Sequence, residues 1–416
     1  VVKDSTPGYP YTVLGANNGM VLEQYGSFIW QSVSRQWNAA IALGEEVFSL
    51  GPSEPVRAGV CDPIKVFIKD EPHKLSKITS GKLRIISGCS LVDQIKTRLL
   101  CKRQNKSEIA NWESTPSKPG LGLHDDGLLI IEQVAREFFK HGKVAETDVS
   151  GWDWSVKDWE LSMDAEARRR LAGARKGGLF DFLLRVHAHC VANSVFVTPD
   201  GCMFEQTIPG KQLSGDYNTS STNSRMRVMA SMLARVWSGR DPLVDGRVCV
   251  AAMGDDSFEV SFAGLQEQLN AMGHVVRFVK ENEVVEGLAF CSQIFDGQGG
   301  AYPEDPSKTV YRFLSHKPGD PAYLELWAQL SWYLRHLKSP ELRVVIEKMA
   351  MGRIERSENL RNGNPSTTSS APTKESASKT ASGAWAAAWA PERVKCYICN
   401  GSGQVGSSEL GWKLPL

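Results

Sequence analysis

Apolar residues at Met20, Val21, Tyr25, Phe28, Ile29 and Val33 recur at helical spacing and predict a helix over about 19–43. Ahead of it, Thr6-Pro7-Gly8-Tyr9-Pro10 predicts a turn or extended entry segment. Val66-Phe67-Ile68 and Leu83-Arg84-Ile85-Ile86 predict two short strands around the polar stretch 69–82. A helix over about 127–140 leads into a strand at about 143–147, and a second helix covers about 157–172. Residues 194–207 predict a hairpin turning at Pro199-Asp200-Gly201. The polar loop 209–216 precedes a helix over about 219–237. Two alternating runs, 247–253 and 257–262, are joined by Gly254-Asp255-Asp256 as a tight hairpin. A helix over 264–272, strands over 275–280 and 288–295, and helical pattern from 320 to about 356 follow. The stretch 362–390, rich in Ser, Thr, Ala, Pro and Gly, predicts a disordered tail or linker. Together these elements predict an α+β architecture with more than one lobe.

With 416 residues the chain can bury a large core, and 42% hydrophobic with 23% charged residues is ordinary for a globular protein. The net charge of +1 does not mark a nucleic-acid binder. Between Lys65 and Lys106, however, eleven Lys or Arg residues face three acids (Asp70, Glu71, Asp93), a segment able to attract phosphate. Nine scattered cysteines, an odd number, predict free thiols in a reducing compartment. The N-terminus lacks an apolar signal region, and no apolar run approaches the ~20 residues of a membrane span. A first residue other than Met predicts a processed product or a fragment.

Nucleotidyl transfer uses two divalent ions about 4 Å apart, held by hard oxygen ligands from separate elements. Asp255 and Asp256 at a hairpin tip, with Asp148 at the end of a strand, can supply that set. Alone, Gly-Asp-Asp is an ordinary turn tripeptide. Asp153, five residues beyond Asp148 and past Gly151, can return to the same cleft, and it suits a helix N-cap equally. Thr219 and Asn223 lie one helical turn apart after the Ser214-Gly215 loop, where a hydroxyl and an amide could hydrogen-bond a ribose 2′-hydroxyl.

In this order, the segments resemble the RNA-dependent RNA polymerases of positive-strand RNA viruses, most closely the sobemovirus and polerovirus-like group. Asp148-Val-Ser-Gly-Trp-Asp153 resembles motif A, Ser214-Gly215 through Asn223-Ser224-Arg225 motif B, and Ala252-Met-Gly-Asp255-Asp256-Ser257 motif C. Lys69-Asp70-Glu71 with Gly81-Lys82-Leu83-Arg84-Ile85-Ile86 is similar to motif F, the Ser5–Tyr11 segment to motif G, and Phe290-Cys291-Ser292 to motif E.

The resemblance implies a right-hand polymerase: a palm of antiparallel sheet flanked by helices, fingers, and a helical thumb. The implied divisions are fingers at 1–142, palm at 143–165, an insertion at 166–207, palm at 208–300, thumb at 301–360 and a tail at 361–416. It implies two ions, Mg2+ or Mn2+, on Asp148 and Asp255 with Asp256 auxiliary. Asp153 and Asn223 would read the 2′-hydroxyl, with Ser214 and Thr219 completing the network. Lys69, Lys82 and Arg84 would neutralise the triphosphate, Lys82 and Arg84 from one face of a strand, and Lys280 would protonate the leaving pyrophosphate. Thr6, Gly8, Ser214 and Gly215 would touch RNA. Implied partners are template and product RNA, NTPs, and a protein primer or other viral replication proteins, at replication complexes in the host cytoplasm with no direct transmembrane anchor. Cys396-Tyr-Ile-Cys399-Asn-Gly401-Ser-Gly403 is outside the family motifs and matches half of a paired zinc repeat, without a second pair to complete four ligands. A reverse transcriptase and a non-catalytic RNA-binding replication scaffold are the rival readings.

Overall fold

Four antiparallel strands form the central sheet of the computed structural model, in the order Val250–Met253, Asp256–Val260, Val144–Val149, Val276–Asn282. Their side chains alternate between faces, as a two-residue period requires. Ala145 and Val149 join Met226 and Ala230 of the Thr219–Trp237 helix in one core. Val144, Ala251, Phe258 and Val260 turn the other way, against Leu128, Ile131 and Phe138 of the Asp125–Phe139 helix. Asp148 and Asp256 lie in step with this second set, so they share one face at one end of the sheet.

The described residues are 1–69, 73, 75–315, 323–335 and 339–361. One compact unit runs from Val1 to Ser357 and a second from Glu358 to Leu416. Asp70, Glu71, the predicted tail at 362–390 and the Cys396–Cys399 segment lie outside the described residues. The seven described cysteines are all free thiols. No described helix is long and apolar enough to cross a membrane.

A second sheet has the order Ile85–Gly88, Ile64–Ile68, Val195–Val197, Met203–Glu205, with Ile64–Ile68 and Val195–Val197 parallel and the other pairs antiparallel. A third, antiparallel sheet combines Ala289–Phe290, Gln293–Phe295 and Ala301–Pro303. The predicted single strand over 288–295 is thus a hairpin, because Cys291 and Ser292 both take positive φ (52° and 60°) and reverse the chain. The helical pattern after 320 begins earlier, at Pro306–Ser315, and continues through Tyr323–Arg335 and Pro340–Arg361.

Two long helices, of 14 and 20 residues, have no counterpart among the predicted elements. Leu179–Ala192 is apolar on most sides, which hides its period. Leu91–Ala110 buries Lys96, Thr97 and Asn105 beside Leu91, Val92 and Ile95, so its inner face does not read as apolar. Ser90 caps it, accepting from the Asp93 N–H at 3.0 Å.

Candidate active site

Gly254 makes the hairpin tip by adopting φ +67°, which a side chain would resist. Its N–H donates to Ser224 Oγ at 2.8 Å, tying the tip to the Thr219–Trp237 helix. Thr147 pairs with Ser257 across the sheet, and the next step of that register sets Asp148 opposite Asp256. The charges of Asp255, Asp148 and Glu304 reach Asp256, and together with its enclosure, the largest cause, they push its carboxyl up to about 7. Asp256 still opens to solvent along one side. Cys291 lies behind the same tip, its thiol raised by burial first and then by Asp256 and Asp255.

The donor chemistry therefore fits a hard divalent cation: the charges of Asp255, Asp148 and Glu304 all reach the Asp256 carboxyl, and hard cations take oxygen ligands. The cage is not closed as it stands. Among the described residues, no three carboxylate, imidazole or thiol groups are placed to hold an ion jointly. Asp148 is engaged by a cation, its Oδ2 accepting from Arg277 Nη1 at 3.0 Å.

Behind the carboxylates, on the opposite face, lies a buried ionic clamp. Arg227 of the Thr219–Trp237 helix donates to Thr147 Oγ1 at 2.6 Å and Glu259 Oε1 at 2.9 Å. Ser231 also donates to Glu259, and Thr147 and Ser257 hydroxyls sit 3.1 Å apart. Thr147 and Ser257 immediately adjoin Asp148 and Asp256, so this clamp fixes the two strands whose ends carry the carboxylates.

Asp153 is the second residue of the short helix Trp152–Ser155, whose N-cap is Gly151 and not Asp153, and its Oδ1 accepts from Asn223 Nδ2 at 2.8 Å. Asn223 is oriented from its other end by Trp152, whose Nε1–H donates to Asn223 Oδ1 at 3.1 Å. Trp152 in turn stacks on His274, ring centroids 4.5 Å apart. Burial raises the Asp153 carboxyl, the Asn223 bond opposes that, Asp255 adds to it, and Arg84 again opposes it. Asp153 itself lines a cleft with Ile85, Ser87, Trp154, Lys211 and Ser214, and the charges of Asp255 and Arg84 reach it there.

Ser214 Oγ accepts from the Ser87 N–H at 3.0 Å, linking the 209–216 loop to the Ile85–Gly88 strand. Gly215 is required by proximity: a Cβ there would meet Ser87 O at 2.2 Å. Thr219 Oγ1 is occupied by the Leu213 and Asp216 carbonyls, at 2.7 and 2.8 Å, and so holds the loop closed rather than facing the cleft as a free donor. The Ser5–Tyr11 segment approaches the far side of the same junction. Pro7 O accepts from Leu91 N–H at 2.7 Å, Gly8 rests on Cys89, and Thr6 Oγ1 accepts from Gly8 N–H at 3.4 Å. Thr6, Gly8, Ser214 and Gly215, distant in sequence, thus flank one short stretch, 87–91.

The predicted cations divide. The charge of Arg84 reaches Asp153, and Lys69 lies beside Arg84 through a backbone bond from Lys69 N–H to Arg84 O at 2.8 Å. Lys82 precedes the strand and closes the turn after Leu75–Thr79, its N–H donating to Lys77 O. It does not share a strand face with Arg84, because regular pairing begins only at Ile85. Lys280 is not brought to the carboxylate cluster: its ammonium binds Glu146 Oε1 at 2.7 Å and Gly287 O at 3.0 Å, two register steps from the Asp148 position. Ser224 falls within the motif B stretch, whereas Arg277, Glu304 and the Arg227–Glu259 pair are site residues that no motif or spacing in the sequence marks.

A model of viral RNA-directed RNA polymerases matches residues 35–304. The chain belongs to this family. It is 53% identical over 363 residues to the "RNA-directed RNA polymerase" of Mushroom bacilliform virus (isolate Australia/AUS LF-1), covering 86% of this chain and 85% of that protein. The "Replicase polyprotein P2AB" of Cocksfoot mottle virus is 35% identical over 352 residues, 80% of this chain and 35% of the polyprotein. "Protein P1-P2" of Turnip yellows virus is 40% identical over 282 residues, 65% of this chain and 25% of that protein. The chain thus spans most of the first relative and about a third or a quarter of the other two.

Proposed function

We propose that this chain copies an RNA template of a positive-strand RNA virus from NTPs, by nucleotidyl transfer at the Asp148–Asp255–Asp256 cluster. The observation that carries the reading is the strand register ending at Thr147–Ser257, one residue short of Asp148 and Asp256, beside the Gly254 tip. In this reading the central sheet is the palm, the Ile85–Gly88 sheet and the Ser5–Tyr11 segment belong to the fingers, and 301–360 is the thumb. Two divalent ions, when bound, would activate the 3′-hydroxyl and neutralise the triphosphate.

The chain's own residues bind and orient. Asp148 and Asp255 would hold the ions, with Asp256 supporting them. Asn223, held by Trp152 and Asp153, presents its amide to the ribose 2′-hydroxyl. Thr219 and Ser214 act on that network by shaping the loop beneath it. Arg84, with Lys69 and Lys82 on the same approach, meets the triphosphate as it enters. The ammonium of Lys280 is committed to Glu146, so the reading assigns it to strand pairing, not to proton donation.

Metal-dependent incorporation of UTP on poly(A) tests the proposal, with Asp255→Asn expected to abolish incorporation while RNA binding persists. RNA binding without incorporation by the unaltered chain would favour a scaffold, and preference for dTTP would favour a reverse transcriptase.

A further inference from the structure

We propose that Arg277 is a latch on Asp148, holding that carboxylate out of the metal cage until a nucleotide triphosphate draws the guanidinium away. The inference rests on the polymerase reading above and adds a residue to it.

Three observations meet at this point. First, Arg277 is the surplus residue of a β-bulge: Asp148 pairs with Phe278 but Val149 pairs with Val276, leaving Arg277 unmatched between them. A bulge re-aims the side chain it carries. In regular pairing Arg277 would point to the face opposite Phe278 and Lys280. The bulge instead lets it reach Asp148 Oδ2 at 3.0 Å, with Nη2 3.4 Å from Ser150 Oγ. Second, the strand Val276–Asn282 is at the edge of the sheet, and the Arg277 side chain is 58% exposed, so the guanidinium can swing without unpacking a core. Third, the carboxylates crowd together, yet among the described residues no three are placed to hold an ion jointly.

Arg277 and a divalent ion compete for Asp148, since both are cations drawn to one carboxylate and each weakens the hold of the other. Release by Arg277 therefore favours Asp148 as a ligand. A guanidinium so released finds its best alternative partner in phosphate oxygens, which it can bind in a planar fork. The cage would then assemble with the triphosphate and stay open without it. Lys280 cannot substitute, being held by Glu146 two steps along the strand.

The test is Mn2+ binding to the full chain without nucleotide, followed by electron paramagnetic resonance, together with the KM for UTP on poly(A). Arg277→Gln should bind Mn2+ about 2- to 5-fold more tightly, the range expected from loss of an exposed ion pair. The same variant should raise KM for UTP several-fold. Opposite signs in the two readouts are the signature, because general damage to the site would weaken both. Arg277→Lys keeps the charge but cannot hold Asp148 and Ser150 together, so its Mn2+ affinity should resemble that of Arg277→Gln. Unchanged Mn2+ affinity in Arg277→Gln overturns the latch. So does a wild-type affinity in Arg277→Lys beside a tighter Arg277→Gln, which would make the effect one of net charge. Asp255→Asn separates this from the parent reading: Mn2+ binding that survives it overturns the metal site itself, whereas binding that it abolishes but Arg277→Gln leaves alone overturns only the latch.

Discussion

Asn223 has both ends of its amide engaged, Oδ1 by Trp152 and Nδ2 by Asp153, so these two bonds fix its orientation. Asn223→Ala should lower discrimination between UTP and dUTP by about tenfold, the worth of one hydrogen bond in an enclosed site, with little change in template binding. Unchanged selectivity in a competition assay would remove the amide from ribose reading. Asp256 makes a second prediction at this scale. Its carboxyl titrates at about 7, and a metal requires the ionised form. Mg2+ affinity should therefore climb by up to about tenfold per pH unit approaching 7 and flatten above it. In the metal-free protein the direction is reversed. A carboxyl raised in the folded state is protonated there while its unfolded counterpart, near 3.9, is ionised, so stability falls as pH rises from about 4 to about 7. Asp256→Asn should remove that slope in a melting series across the same window.

At the scale of elements, the Arg227–Glu259 pair is fully buried at 2.9 Å and joins helix, strand and strand. Removing one partner leaves a buried charge alone. Arg227→Met should cost about 3–5 kcal/mol of stability by denaturant unfolding, and adding Glu259→Leu should recover a large share. If the double variant is as unstable as the single one, the clamp holds the sheet by shape and not by charge. Strand alternation, the Gly254 turn and the order of the carboxylates were all legible in the chain, because a two-residue period and a turn glycine depend on local sequence. Arg227 was not legible: it looks like any helical arginine until Glu259 is brought beneath it. The Arg277 bulge was equally silent, since a surplus residue shows only against a partner strand. Leu91–Ala110 escaped for a third reason, having polar groups on the face it buries.

At the scale of the molecule, charge placement matters more than the sum of +1. The structure thins the basic segment that the sequence suggests. Lys96 is 9% exposed and committed to Asp93 at 2.7 Å, to Gln36 and to the Val60 carbonyl, and Arg98 stacks on Tyr217 with its guanidinium carbon 4.3 Å from the ring centroid. Neither is a freely solvated cation available to phosphate. Lys102, Arg103 and Lys106 on the same helix are exposed and carry the remaining attraction. On single-stranded RNA each phosphate contact contributes about 0.7 to the slope of log affinity against log salt. Replacing all three by alanine should reduce that slope by about 2 and weaken binding alike for templates of any sequence, while the KM for UTP stays near its original value. A slope that does not move would show the helix to be a solvated face turned away from RNA, and would shift the template path toward the junction where Gly8 and Gly215 approach residues 87–91.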